Sequence, residues 1–345
     1  MEVSLDSLRL ANERLRGLNL EDAVRDVSGF PIFACKKEGD TLMFDAVAEE
    51  SIVECHSARF SQVYGINGVV LSEERGIGCT SRIYNETPII LSDPIDGSKS
   101  LSSLARHSIE TGGLENLGQL FDYCWDKFGE LARITAPVSA LSLIRDGELK
   151  YSLVLNLFTG MIYAAFPEGV FSGQISDVKS IDNINTPLVW RSDAQPLLLC
   201  NRNGDKRCQN FTQSHLEELF EHDTSALYFA GPSRFIYLLK ESQELFPRVG
   251  VIAHNRESIQ EILPNLGIAA YSGGALRAYK LSCPEYELDF FRGDIEEDGI
   301  NERVLEKIEY PGDYEDTTVI VPSANKAGVR KMESAVEKGY GMRLA

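Results

Sequence analysis

The chain has 345 residues, 43% of them hydrophobic and 25% charged, with a formal net charge of −18. That composition is ordinary for a globular protein, and the length suits one large α/β domain or two tightly packed halves. The charge argues against nucleic acid or an anionic membrane as partner, because both need a basic footprint. No run of about 18 apolar residues offers a transmembrane helix, and the start, MEVSLDSLRLANERLRG, reads as a soluble helix rather than a signal peptide. Seven scattered cysteines without a CxxC pair read as reduced thiols of a cytosolic protein.

Residues 5–27 have helical periodicity, broken at Gly29 and Pro31, and 40–57 read as a second helix. GVVLSEE (68–74) is a short apolar strand ending in acids, and PIILSDP (88–94) is a second, with Pro94 expected to stop it. A Ser-rich turn should lead to an amphipathic helix over 113–133. Three strand-like runs follow, VSALSLI, YSLVLNLF and GMIYAAF, with Gly147 and Thr159-Gly160 as turns of a meander. The polar stretch 174–195 marks a boundary between an N-terminal α+β half (1–175, with an insertion at about 101–136) and a C-terminal α/β half (176–345). Strands and helices alternate through that second half. An acid-rich excursion is expected at 284–316, and TTVIVPS followed by ANKAGVRKMESAVEK closes the chain as strand then helix.

The stretch DPIDGS (93–98) concentrates the chemistry. Pro94 fixes φ and lacks an N–H, so Asp93 and Asp96 can face one side of a turn while the Ile95 carbonyl stays free as an oxygen ligand. Gly97 permits positive φ, and Ser98 can start a helix whose N–H groups face an anion. Hard oxygen donors beside a helix N-terminus suggest Mg²⁺ holding a phosphate. Metal centres for displacement at phosphorus commonly hold two ions with several carboxylates, and SEE supplies Glu73 and Glu74, with Glu73 twenty residues before Asp93. Bound cations would also turn an acidic pocket into an anion receptor. A Ca²⁺-binding module fares poorly, since no DxDxDG loop occurs.

An acidic pair ending one strand and D-P-[IL]-D-G-[ST] ending the next resembles the lithium-sensitive, Mg²⁺-dependent phosphatase superfamily of inositol monophosphatase, fructose-1,6-bisphosphatase and inositol polyphosphate 1-phosphatase. The family also needs a carboxylate in the C-terminal half. The inositol monophosphatases take it from a W-D pair, whereas the only such pair here, Trp125-Asp126, lies in the insertion. Fructose bisphosphatases use a Glu with a proline three residues on and Gly-Gly twelve and thirteen on. EILPNLGIAAYSGG (261–274) has that spacing, which points to Glu261, with Glu257 as the fallback. KKEGDTLMFDAVAEE resembles the family segment whose aspartate, here Asp45, pairs with the Ser98 hydroxyl to orient the attacking water, although the preceding V-T pattern is missing. The meander and the closing strand and helix resemble the family's own.

The resemblance implies an αβαβα layered sandwich, of α/β (α+β) class. It implies hydrolysis of a phosphate monoester of a small soluble metabolite: an inositol phosphate, sugar phosphate or nucleotide phosphate. Glu73, Asp93 and the Ile95 carbonyl would hold one Mg²⁺, and Asp93, Asp96 and Glu261 a second. A third, weaker ion would sit at Glu73, Mn²⁺ could substitute, and Li⁺ would inhibit. Gly97 and Ser98 N–H groups would bind phosphate oxygens, with Glu74 supporting the site from behind. The location expected is cytoplasmic, the partner a small phosphorylated substrate rather than nucleic acid or membrane, and the assembly a homodimer. The alternative is a family member with impaired catalysis that acts as a phosphometabolite-binding or regulatory protein. The insertion after Ser100 would be a lid or specificity element, or a plain surface hairpin. Lys99, Arg234, Lys240, Arg248 and Arg256 are further candidate phosphate or hydroxyl contacts.

Overall fold

The computed structural model describes residues 1–28, 41–64, 69–74, 76–77, 88–129, 136–145, 148–188, 196–201, 225–229, 249–255, 264, 267–268, 271, 275–280, 317–323, 334 and 338. Helix α1 (Glu2–Gly17) buries Leu5, Leu8, Ala11 and Leu15, the i, i+3, i+4 stripe of an amphipathic helix. It does not run on to residue 27. Leu18 is extended, and Asn19 caps a separate short helix, α2 (Leu20–Ala23), by accepting the Glu21 N–H. Helix α3 (Met43–Tyr64) packs along α1.

Two sheets are described. The first has eight strands in the order β2-β1-β3-β4-β5-β6-β7-β8, with β1 Val69–Ser72, β2 Gly76–Ile77, β3 Ile89–Asp96, β4 Val138–Arg145, β5 Glu148–Asn156, β6 Met161–Phe166, β7 Gly169–Gln174 and β8 Thr186–Leu188. The second has five strands, β9 Pro196–Asn201, β10 Ser225–Phe229, β11 Val249–Asn255, β12 Ala275–Lys280 and β13 Thr317–Ser323, ordered β10-β9-β11-β13-β12. The meander expected after residue 137 is present as antiparallel β4-β5-β6 and continues into β7. The first sheet reaches residue 188 through β8, beyond the 175 boundary. Among the described residues no helix is long and apolar enough to cross a membrane.

Two expectations fail for identifiable reasons. Pro94 does not stop its strand: β3 runs on to Asp96, and the register against β4 shifts between Asp93 and Asp96. An irregularity of that kind accommodates a residue with no N–H to give. The segment after Ser100 is not a surface hairpin but two helices, α4 (Ser98–Thr111) and α5 (Leu117–Phe128), the second lying inside the amphipathic helix expected over 113–133. Helix α5 buries Leu117, Leu120, Phe121 and Cys124 in the main core, and α4 adds Leu101 and Ala105. Asn116 caps α5 by accepting the Gln119 N–H at 3.0 Å, and it bridges to Asn19, so the two helix starts are tied together. A Cβ on Gly118 would lie 2.8 Å from the Arg16 carbonyl, so only glycine allows α5 this close to α1.

The faces of the first sheet differ. Ile90, Leu141, Leu143, Tyr151, Leu153, Leu155 and Ile162 pack into the core with α1, α4 and α5. Alternation turns Ser142, Ser152 and Ala165 the other way, and cross-strand register aligns them as Leu91–Ser142–Ser152–Ala165. The Ser142 and Ser152 hydroxyls bond at 2.9 Å.

The helical core holds one polar chain whose hydrogens can be assigned. His56 Nδ1 lies 2.8 Å from the Ile52 carbonyl, so it carries the proton and Nε2 accepts. The Ser4 hydroxyl donates to Nε2 at 2.9 Å, and the Tyr151 hydroxyl donates to Ser4 Oγ at 2.7 Å. His56 is 1% exposed, and burial lowers its pKa to about 4. A lowered folded pKa favours the neutral ring, so the stabilisation is complete above the unfolded value and is lost as pH falls through 6.5 toward 4. A shift of this size corresponds to roughly 3 kcal/mol. The stability advantage of the wild type over His56→Gln should therefore shrink by about that amount between pH 7 and pH 4 in urea titrations, and a pH-independent difference would contradict the assignment.

Candidate metal and phosphate site

The parallel pairing of β1 and β3 builds the site. Val69 pairs with Ile89 and Ser72 with Ser92, a constant offset of twenty residues. The Glu73 N–H donates to the Ser92 carbonyl at 3.0 Å, so the chain after β1 stays alongside β3 where Asp93 begins. Glu73 and Asp93 thus leave neighbouring strands at the same level, about 4.8 Å apart in strand spacing. The twenty-residue interval seen in the sequence is the register of the sheet. Asp93 is 1% exposed, Asp96 9% and Glu74 7%, while Glu73 is half-buried.

Beyond Asp96 the backbone turns at Gly97, whose φ of +97° is left-handed, and α4 starts at Ser98 with no side chain capping it. A Cβ at Gly97 would approach the Pro137 Cα to 3.2 Å. Gly97→Ala should cost about 1–2 kcal/mol from the left-handed backbone alone, read as a lowered urea midpoint, and an unchanged midpoint would refute the strained turn.

Asp45 enters from α3. It stands in the first turn, where Oδ2 accepts the Leu42 N–H at 2.9 Å, half of a capping box. Its Oδ1 lies 2.7 Å from Ser98 Oγ, and Ser98 Oγ lies 2.6 Å from the Ile95 carbonyl. A hydroxyl has one proton, so Ser98 can donate to Asp45 or to Ile95, not to both. Asp45 is fully buried, and its pKa is held well above the usual carboxylate range, first by burial and next by the charge of Glu74. When Asp45 carries a proton it donates to Ser98, which donates to Ile95. When Asp45 is ionised the Ser98 proton turns to it and the Ile95 carbonyl is released.

Two more hydroxyl–carboxylate pairs frame the site. Thr41 donates to Glu74 and Ser72 donates to Glu49. Glu49 is a residue that the sequence reading does not single out, although it stands one helical turn after Asp45 on the same face of α3 and is 1% exposed. The i, i+4 spacing of two acids in MFDAVAEE is the available signal.

Glu73, Asp93, the Ile95 carbonyl, Asp96, Gly97, Ser98 and Asp45 therefore stand at one end of β1 and β3 and at the adjoining starts of α3 and α4. Lys99 is exposed on the first turn of α4. Glu257, Glu261, Arg234, Lys240, Arg248 and Arg256 lie outside the described residues. Oxygen donors alone, partly sunk below the surface, suit Mg²⁺ or Mn²⁺ rather than a softer ion. Among the described residues no three His, Cys, Asp or Glu side chains gather as a group that could hold a metal ion. The expected set counts a main-chain carbonyl and Glu261 as well.

No family model and no curated protein matches the sequence. Solved structures do match. The extragenic suppressor protein suhB from Bartonella henselae aligns over 98% of both chains with a TM-score of 0.56 at 12% identity. A Pyrococcus horikoshii protein described as similar to inositol-1 monophosphatase covers 97% of this chain and 96% of its own, with a TM-score of 0.54 at 12% identity. An IMPase from Thermotoga maritima covers 97% of both chains, with a TM-score of 0.52 at 16% identity. The chain has the inositol monophosphatase fold. The layered α/β sandwich expected from the sequence is the architecture of these structures, matched over nearly the whole chain. Identities of 11–16% speak to the fold and leave chemistry to the residues themselves.

Proposed function

We infer that this chain is a divalent-cation-dependent phosphatase that hydrolyses a phosphate monoester of a small soluble metabolite, an inositol, sugar or nucleotide phosphate. The observation that carries the reading is the contact between Ser98 and Asp45 at the uncapped start of α4, two residues after Asp96 and five after Asp93. A hydroxyl bonded to a buried carboxylate can hold a water and draw off its proton. The neighbouring Gly97 and Ser98 amides point where a helix N-terminus favours anions. Glu73, Asp93, the Ile95 carbonyl, Asp96 and Glu261 are the residues that would hold Mg²⁺ or Mn²⁺. Bound there, the cation would acidify water and neutralise charge on the phosphoryl group. Ser98 orients the water for in-line attack, Asp45 accepts its proton through Ser98, and the amides steady the phosphate oxygens. The neighbouring structures named as IMPases share the fold, which favours the same class of reaction here. Location in the cytoplasm and assembly as a homodimer are part of the same proposal.

A second reading, a phosphometabolite-binding protein with impaired catalysis, is suited by the missing V-T pattern before Asp45 and by the absence of a W-D pair from the C-terminal half of the sequence. Phosphate release separates the two. Inositol, sugar and nucleotide monophosphates should yield phosphate with Mg²⁺ and none with EDTA. Binding of the same compounds without turnover would establish the second reading instead.

A further inference from the structure

Glu73 stands on a turn that the sheet alone holds loosely. Strand β1 has four residues, and β2, which follows the turn, has two. Leu71 pairs with Ile77 and Ser72 with Gly76, so the chain reverses within three residues at the margin of the first sheet. Pairing this short gives a turn little rigidity of its own. Side chains add the rest. Ser72 donates its hydroxyl proton to Glu49, and the same oxygen accepts the Glu74 N–H at 3.4 Å. Thr41 holds the Glu74 carboxylate from the other side. Glu73 is therefore flanked by two residues that are each tied down.

The two bonds of Ser72 depend on each other. Its hydroxyl has one proton and two lone pairs. With the proton drawn to Glu49, the rotamer is set and a lone pair is left for the Glu74 N–H, which closes the turn over Glu73. Ser72 and Glu49 are each 1% exposed, so bulk water does not compete for the contact. Helix α3 thus bolts the site at two points. Asp45 and Glu49 are one turn apart, about 6 Å along the axis, close to the ~4.8 Å between paired strands. Asp45 reaches Ser98, two residues after Asp96, and Glu49 reaches Ser72, one residue before Glu73. We propose that Glu49 is a positioning residue that acts through Ser72 to hold Glu73 level with Asp93, its partner in binding a cation. The proposal rests on the metal-dependent reading above and deepens it.

The test titrates Mn²⁺ into the full-length protein, following the free-ion EPR signal, and records thermal unfolding with and without Mn²⁺. Ser72→Ala removes the shared oxygen and should weaken Mn²⁺ binding roughly tenfold or more. Glu49→Ala should weaken it as much, and the double variant no further, because both changes break one link. Glu49→Gln, whose amide oxygen can still accept the Ser72 proton, should bind Mn²⁺ nearly as well as the wild type. Ser72→Ala decides the question even if Glu49→Ala does not fold. A merely structural role would lower the metal-free unfolding temperature of both alanine variants and leave their Mn²⁺ affinity unchanged, which would overturn the proposal. Binding by Glu49→Gln as weak as by Glu49→Ala would overturn it too, by assigning the effect to charge. If the wild type binds no Mn²⁺, the metal-dependent reading fails and this proposal falls with it. If the wild type binds and the variants bind equally well, only the positioning claim fails.

Discussion

Asp93→Asn should abolish Mg²⁺-dependent phosphate release, by roughly 10³-fold or more, and leave the fold intact. The carboxylate stands at 1% exposure where β3 leaves its pairing with β1, and the reading gives it to both cations at once. Removing its charge would empty two positions rather than one. A loss of that size is about 4 kcal/mol of transition-state stabilisation, at the upper end of what the loss of a single positioned hydrogen-bond donor costs. The substitution keeps the shape of the side chain and removes a negative charge packed near Glu73. The metal-free protein should therefore be at least as stable as the wild type. Circular dichroism and urea titration would check the fold, and a phosphate-release assay the activity. Retained turnover in a folded variant would remove Asp93 from the chemistry.

Asp45→Asn should separate activity from stability. The amide introduced there would present its oxygen to the Leu42 N–H and its NH₂ to Ser98 Oγ, so the Ser98 proton would turn permanently to the Ile95 carbonyl. That is the arrangement of protonated Asp45, in which the proton acceptor is blocked and the carbonyl proposed as a metal ligand stays engaged. Loss of a general base typically costs about 10²–10⁴-fold, and kcat should fall by that much. Stability should move the other way. Burial and the Glu74 charge raise the folded pKa of Asp45, so its ionisation in the metal-free protein opposes folding. That opposition is absent below the unfolded pKa, near 4, and grows as pH rises toward the folded value. The variant should unfold at a higher urea concentration than the wild type at about pH 7 without divalent cation, and the difference should vanish near pH 4. Equal midpoints at both pH values would show that Asp45 carries no such strain.

The strand pairing that carries the candidate acids is more legible in the sequence than the helices around it. The spacing of SEE and DPIDGS can be read because parallel neighbours keep register, and an offset of twenty between two short strands survives folding unchanged. The start of a helix at Ser98 follows from Gly97, which takes the positive φ its place demands. Helix α4 itself is hidden because SKSLSSLARHSIET is rich in serine and reads as a turn, while Leu101, Ala105 and Ser108 supply a buried stripe that decides the matter. The path through Pro94 departs from expectation because a proline's lost N–H matters only where a partner strand asks for it, and here the register slips past it. Glu49 escapes notice because burial of an acid depends on the strand end facing it, which periodicity cannot report. The meeting of Asp45 with Ser98 spans 53 residues and is legible only through likeness to a known family.

One measurement bears most directly on the claim that these acids gather divalent cations to grip a phosphoryl group. Crystals soaked in Mn²⁺ with inorganic phosphate should show anomalous peaks bonded to Asp93 and shared with Glu73 and Asp96, with a phosphate oxygen against the Gly97 and Ser98 amides. Anomalous maps with no peak among those three carboxylates, at Mn²⁺ concentrations that support turnover, would contradict the account.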